Sequence, residues 1–278
     1  MPKTPATIKS WLVEATKKLL EAEIITAVLD CELILTNILE VERTYLHAHP
    51  EKIISPKQLR AINRMFKKRL KNIPMSYILK YKEFYGRKFF TDKAVLIPRP
   101  ESEDIIDVVK SICKQPDFKN NEVTLVDIGT GSGCLGITAK LEVPRLEVTL
   151  SDVSIDALRV ARFNAVKLRA DLDITSGNLL ENINERPDII IANLPYVDKS
   201  WDRSSETDHE PTKALFAKDN GMALIKKLIR QAEKLQRAGS YLILEADPRQ
   251  HDALTDYAHK HQYMLAKQTG YILSLIKY

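Results

Sequence analysis

The apolar positions change their period about a third of the way along the chain. From residue 5 to about 80 they recur at helical spacing with no strand-like alternation. Ile8, Trp11, Leu12, Ala15 and Leu19 stripe residues 7 to 20, and Val28, Cys31, Leu35 and Ile38 stripe residues 27 to 39. Each segment is expected to be a helix that buries one face. Ser55-Pro56 supplies a cap and a first-turn proline for a further helix, with Leu59, Ile62, Phe66 and Leu70 as its apolar stripe. Ile73-Pro74 ends that helix, and Tyr81 to Phe90, turning at Gly86, reads as a short hairpin. A helix follows over 105 to 113.

From Val123 onward, short runs rich in β-branched residues alternate with helical stretches. Strands are predicted at 123–128, 146–151, 172–175, 188–192, 241–246, 263–268 and 271–277, and helices at 133–141, 154–168, 221–236 and 249–260. Strands that alternate with helices in this way imply an α/β domain with a mainly parallel sheet. The last two, joined tightly through Gln268-Thr-Gly270, close it as an antiparallel hairpin.

Composition narrows the class. The 278 residues, 44% of them hydrophobic, suffice for one large domain or two ordinary ones. No run approaches the length of about eighteen apolar residues that a membrane span needs, and no charged-then-apolar leader precedes the first helix. A cytoplasmic protein with no membrane role is expected. Cys31, Cys113 and Cys134 are too scattered for a disulfide frame or a zinc knuckle, and the six histidines form no ligand-spaced cluster. No metal is expected. The net charge of +5 permits an acidic or nucleic-acid partner without requiring one. Lys57, Arg60, Arg64, Lys67, Lys68, Arg69 and Lys71 follow one another on a single helix with no acid between Ser55 and Asn72. That face is either a solvated surface or a docking site for an acidic partner or RNA phosphates.

Candidate chemistry concentrates where strands end. The run Val123-Thr-Leu-Val-Asp127 breaks into Ile-Gly129-Thr130-Gly131-Ser132-Gly133-Cys134, a strand feeding a tight turn and a helix, the junction at which α/β sheets bind nucleotides. The second strand ends at Asp152, beside that turn, where a carboxylate can accept both hydroxyls of a ribose. Capping of the next helix is the competing role for Asp152, although Ser154 is better placed for it. Cys134 suits a small packing residue better than a nucleophile. Pro98-Arg99-Pro100-Glu101 forms a stiffened loop, making Arg99 and Glu101 candidate site residues against a purely structural alternative.

The fourth strand ends in Asn193-Leu194-Pro195-Tyr196. The Asn193 side-chain oxygen and the Leu194 carbonyl are acceptors that can take both N–H hydrogens of a planar amide or exocyclic amine, turning its lone pair towards an electrophile. Tyr196 can stack on the planar group while Pro195 stiffens the turn. An ordinary strand-ending turn is the alternative.

Taken in order, Ile97-Pro-Arg-Pro-Glu-Ser-Glu103, Asp127-Ile-Gly-Thr-Gly-Ser-Gly-Cys134, Asn193-Leu-Pro-Tyr196, Glu210-Pro211, Ala214-Leu215 and Asp219-Asn-Gly221 resemble the PrmC/HemK family over nearly the whole chain. The resemblance implies a Rossmann-like, seven-stranded class I methyltransferase domain at 100–278, a hairpin linker at 81–99 and a small α-helical bundle at 1–80 that helps recognise substrate. It also implies methyl transfer from S-adenosyl-L-methionine to the glutamine of the Gly-Gly-Gln motif in peptide chain release factors. Carried over by position, Gly129, Thr130, Gly131, Ser132, Gly133 and Asp152 hold the donor's methionine and ribose portions, and Asn178 and Leu179 flank its adenine. Asn193, Leu194, Pro195 and Tyr196 grip the glutamine amide. The chain departs from the family pattern at Leu194, usually Pro, at Leu179, at or near which the family usually has an aromatic, at Lys80, usually Gly, and at Leu244-Glu-Ala246, usually Leu-Glu-Ile-Gly. Asn-Leu-Pro-Tyr also resembles the tetrapeptide of ribosomal-RNA adenine dimethyltransferases, in which case the basic helix would meet RNA. A degenerate member that binds without turnover is a third reading.

Overall fold

The computed structural model describes residues 6–119, 121–198, 200–201 and 205–278. The chain forms two compact units, Met1–Lys80 with Ser204–His209, and Tyr81–Arg203 with Glu210–Tyr278.

The first unit is helical, with α1 (Ile8–Glu21), α2 (Ala27–Leu39), α3 (Arg43–Ala48), α4 (Pro56–Arg69) and α5 (Met75–Leu79). Reciprocal capping boxes, Thr7 with Ser10 and Ser55 with Gln58, satisfy the free N–H groups that start α1 and α4. Ile8, Trp11, Ala15 and Leu19 pack against Ala27, Cys31, Ile34, Leu35, Ile62 and Phe66. Two positions differ from the expected stripes. Val28 is 55% exposed, because α2 presents Ala27, Cys31 and Ile34 inward instead. On α4 the buried stripe runs Ile62, Phe66, Arg69, at spacings of four and three, so Arg69 is buried while Leu70 is exposed. Arg69 therefore leaves the basic face. Its guanidinium meets Asp30 at 2.6 Å and Glu206 at 2.5 Å. Lys57, Arg60, Arg64, Lys67, Lys68 and Lys71 remain exposed. Lys80 ends α5 with φ of 68°, a left-handed conformation in which glycine is the unstrained choice.

The second unit opens with the antiparallel hairpin β1 (Tyr81–Phe84) and β2 (Arg87–Phe90), whose Phe84 and Phe89 enter the unit's core. The elements α6 (Glu103–Ile112), α7 (Pro116–Lys119), β3 (Val123–Ile128), α8 (Cys134–Glu142), β4 (Leu146–Asp152), α9 (Ile155–Leu168), β5 (Asp173–Ser176) and β6 (Ile189–Ala192) follow. The chain ends with α10 (Thr212–Leu215), α11 (Ala223–Leu235), β7 (Tyr241–Glu245), α12 (His251–His259), β8 (Tyr263–Thr269) and β9 (Ile272–Lys277). The sheet order is β5-β4-β3-β6-β7-β9-β8, with the first five strands parallel and β9 antiparallel to both neighbours.

Alternation along β3 sends Val123 and Leu125 into the core under α6, α8 and α9, and Val126 and Ile128 into the core under α11 and α12. The sheet is thus covered on both faces. Strand order reverses between β3, which leads to β4 on one side, and β6, which adjoins it on the other. The register pairs Ile128 with Ser151 and Ala192, and Ala192 with Leu244, so the carboxyl ends of β3, β4, β6 and β7 share one edge. Ligands of open α/β sheets bind at such an edge, beside the switch.

Candidate active site

The turn after β3 is held by its own strand end. Asp127 Oδ2 accepts from Thr130 Oγ1 at 2.6 Å and from the Gly136 amide at 2.9 Å, while the Gly129 and Thr130 amides donate to the Ser151 carbonyl. Burial pushes the Asp127 carboxyl up to about 6, against the pull of these donors. Gly129 has φ of +70°, and a Cβ there would stand 2.8 Å from Leu194 Cδ2. Glycine is favoured at this point by the left-handed backbone, while the Leu194 side chain, whose end could give way, comes close from the β6 corner. The buried Asn164 of α9 donates to the Ser132 and Phe90 carbonyls and accepts from the Phe90 amide, fastening turn and hairpin together.

Asp152 ends β4 with Oδ2 accepting from the Gly131 amide at 3.0 Å and Oδ1 from the Ser154 amide at 2.8 Å. Ser154 itself caps α9 by accepting from the Ala157 amide. Each Asp152 oxygen retains a further lone pair beside the cavity.

That cavity measures about 510 Å³, within the usual range for a small-molecule site. Gly129, Thr130, Gly131, Ser132, Asp152, Asn178, Leu179, Asn193, Leu194, Pro195 and Arg99 all line it. Gly133 does not; it takes the cap position before α8. Glu101 is exposed and away from the wall, because the turn at Pro100–Ser102 carries Ser102 inward in its place. Arg99 lines the cavity with its charge matched: it donates to Glu210 Oε1 at 2.6 Å, and Glu210 Oε2 accepts from the Ile97 amide. Asn178 donates to Glu181, and Leu179 holds φ of +59° with its side chain buried. Cys134 also lines the cavity, but burial pushes its thiol up to about 12, so it is not a thiolate nucleophile at neutral pH.

The corner after β6 is braced from behind. Gln250 donates to the Tyr196 carbonyl at 2.9 Å and the Asn220 carbonyl at 2.7 Å. Gly221 packs so closely that a Cβ would fall 1.9 Å from the Tyr196 oxygen. Asn193 Nδ2 donates to Ser102 Oγ at 3.0 Å. Among the described residues, neither Asn193 Oδ1 nor the Leu194 carbonyl accepts a hydrogen bond. The Tyr196 side chain is turned away from the cavity wall: its hydroxyl donates to Glu245 Oε1 at 3.2 Å, and burial beside that carboxylate pushes the phenol upward. Glu245, at the end of β7, is buried and its carboxyl is pushed up to about 7. Among the described residues no cluster of His, Cys, Asp or Glu could hold a metal ion, and no helix is long and apolar enough to cross a membrane.

Ser102, Glu210, Gln250 and Asn164 are the site's braces, and the spacing of apolar residues does not announce them. Glu245 did carry a signal, since an acid ends an apolar strand there as Asp152 ends β4.

Known proteins match this organisation. The PrmC N-terminal domain family matches residues 10–79, and the methyltransferase small domain family matches residues 109–274, more than half of the chain. A release factor glutamine methyltransferase of Koribacter versatilis is 34% identical, with 91% of this chain and 92% of the relative aligned. A bifunctional methyltransferase of Rickettsia bellii is also 34% identical over 93% of this chain, but the match takes in 51% of that protein. The chain thus spans about half the length of such relatives. Among solved structures, a methyltransferase from Pyrococcus furiosus superposes with a TM-score of 0.52 at 18% identity, covering 77% of this chain and 97% of that one. That likeness bears on the fold, a class I methyltransferase sheet. On the strength of its aligned length and identity, the chain belongs to the release factor glutamine methyltransferase family.

Proposed function

We propose that this protein transfers a methyl group from S-adenosylmethionine to the side-chain amide nitrogen of the glutamine in the Gly-Gly-Gln motif of peptide chain release factors. The observation that carries the reading is the shared cavity: the glycine turn after β3, the carboxylate after β4 and the free Asn193 oxygen after β6 border one space.

The donor suits the residues present. Backbone at Gly129 to Ser132 can approach a small ligand closely, Asp152 offers spare lone pairs for ribose hydroxyls, and Asn178 and Leu179 close the end where an adenine belongs. Gly133 supports that turn from its cap position. Bound there, S-adenosylmethionine supplies a methyl group activated by a sulfonium. The protein's task is then to make a poor nucleophile competent. An amide nitrogen has its lone pair delocalised into the carbonyl, and two acceptors on its hydrogens both orient it and favour the charge that develops on nitrogen. Asn193 Oδ1 and the Leu194 carbonyl are such acceptors. Leu194 lacks the usual proline but keeps that carbonyl. Pro195 stiffens the corner, and Tyr196, anchored on Glu245, fixes its far end. Once alkylated, the nitrogen is acidic enough to release its proton to water, so no strong base is needed and positioning supplies the acceleration. Arg99 and the loop to Glu101 shape the entrance through the Arg99–Glu210 pair.

The helical unit, residues 1–80, is assigned the recognition of release factor, and the location that goes with this substrate is the cytoplasm. The relatives' naming favours a release factor over ribosomal RNA. The deciding experiment is mass spectrometry of release factor incubated with the protein and isotopically labelled donor. A labelled methyl on the Gly-Gly-Gln glutamine, lost when that glutamine is replaced by alanine, is expected. Label on adenosine in ribosomal RNA instead would overturn the reading.

A further inference from the structure

Ser102, Tyr196 and Glu245 surround Asn193 in an arrangement that amide gripping alone does not demand. Glu245 ends β7, the strand beside β6, and is 1% exposed. Its Oε2 accepts from Ser102 Oγ at 2.5 Å and its Oε1 from the Tyr196 hydroxyl at 3.2 Å. Ser102 Oγ in turn accepts from Asn193 Nδ2 at 3.0 Å. An ionised carboxylate has no proton to give, so it dictates the direction of every bond leading to it. Ser102 commits its only proton to Glu245, and the oxygen that remains can be satisfied only by the NH2 end of Asn193. A flipped Asn193 amide would set oxygen against oxygen with no proton between them, a buried mismatch that costs more than a missing bond.

We propose that Glu245 and Ser102 are positioning residues that fix the sense of the Asn193 amide, committing its nitrogen to the protein and leaving its oxygen for the substrate. The inference rests on the reading of Asn193 as the group that grips the glutamine amide. Without the network, a flipped Asn193 would offer N–H to N–H, and the substrate nitrogen would lose its acceptor.

The device is sensitive to pH. Burial holds the Glu245 carboxyl up at about 7. A protonated Glu245 can donate to Ser102, freeing the serine proton for Asn193 Oδ1, and both amide orientations become possible. The ionisable groups facing Glu245 are Glu101 in the loop before α6, Tyr196 after β6 and Cys134 at the start of α8, with Arg99 and Tyr271 acting on Tyr196. Asp127, held at about 6, acts on Cys134 from β3. Asp127 makes no bond to the network.

The test follows the Asn193 side-chain amide by ¹⁵N NMR, its signal identified by its absence in Asn193→Ala. In the wild-type protein the signal is expected to shift with a midpoint near pH 7, and in Glu245→Gln this titration disappears. A wild-type signal that stays constant from pH 5.5 to 8.5, or one that titrates equally in Glu245→Gln, overturns the proposal. In single-turnover methylation of release factor at pH 8, Glu245→Gln and Ser102→Ala are each expected to slow transfer about tenfold or more. Donor affinity should stay within about twofold, since neither side chain needs to touch the donor. Neither change should slow transfer further in an Asn193→Ala background; losses that multiply there would overturn the proposal. Thermal unfolding of each variant shows whether it folds, and Ser102→Ala keeps the test alive if Glu245→Gln does not. The NMR titration needs no release factor. A network that titrates in a protein that methylates no release factor would therefore defeat the proposed function and not this inference.

Discussion

On the proposed function, Asn193 and Asp152 serve different steps at two strand ends, and their replacement should separate binding from chemistry. Asn193 offers an acceptor whose value is greatest as charge develops on the substrate nitrogen, so Asn193→Ala is expected to cut turnover by about 100-fold or more. Calorimetry should find donor affinity within a few-fold of the wild type. Asp152→Ala removes both the proposed ribose acceptor and the brace on Gly131, so its main effect should be a donor dissociation constant raised by about tenfold or more. An unchanged constant would remove Asp152 from the donor site. Both residues stood out in the sequence as candidates where apolar strands end, and the structure sets both on the cavity wall. The pairings around them were not legible in the sequence: Ser102 meets Glu245 across 143 positions and Arg99 meets Glu210 across 111, separations that no local pattern encodes.

Among elements, the corner after β6 and the helix α4 show how packing decides what periodicity leaves open. Gly221 has φ of +85° and lies against the Tyr196 carbonyl that Gln250 also holds. Gly221→Ala must push that corner away, and turnover should fall at least as far as folding stability, the latter by about 1–3 kcal/mol. Urea denaturation compared with single-turnover rates would separate the two losses. On α4, helical spacing placed the helix correctly but put Leu70 inward and Arg69 on the basic face, and the structure reverses the two, since both positions fit the stripe. The buried acid Asp30 settles it, by offering Arg69 a partner that no hydrocarbon could match. Arg69→Ala leaves Asp30 buried without its cation and should cost about 3–5 kcal/mol, whereas Arg64→Ala on the exposed face should cost less than about 0.5 kcal/mol. Strands and long helices were readable from the sequence because each runs for several periods. The short helices α3, α5 and α10 complete barely a turn or two and gave no such signal.

For the molecule as a whole, the two raised carboxyls set a pH dependence of stability with a definite sign. Asp127 at about 6 and Glu245 at about 7 hold protons in the folded chain at pH values where the unfolded chain has released them. Stability should therefore fall as pH rises from about 4 to about 7, by a few kcal/mol, and level off above that. Denaturant titrations at pH 5 and pH 8 check this. Glu245→Gln should remove the upper part of the slope, and a wild-type protein equally stable at both values would contradict the burial of these charges. The parallel sheet and its antiparallel end were readable from the order of strands and helices, but one feature of the whole was not. Residues 204–209 return to the helical unit, where Glu206 meets Arg69. Three backbone crossings, at 80, 203 and 209, therefore join that unit to the rest. Severing the peptide chain once between β1 and β6 would leave the bundle held to the rest by side-chain contacts such as Arg69–Glu206 alone, and a protein shortened to its first eighty residues would lack one of the two carboxylates that Arg69 meets.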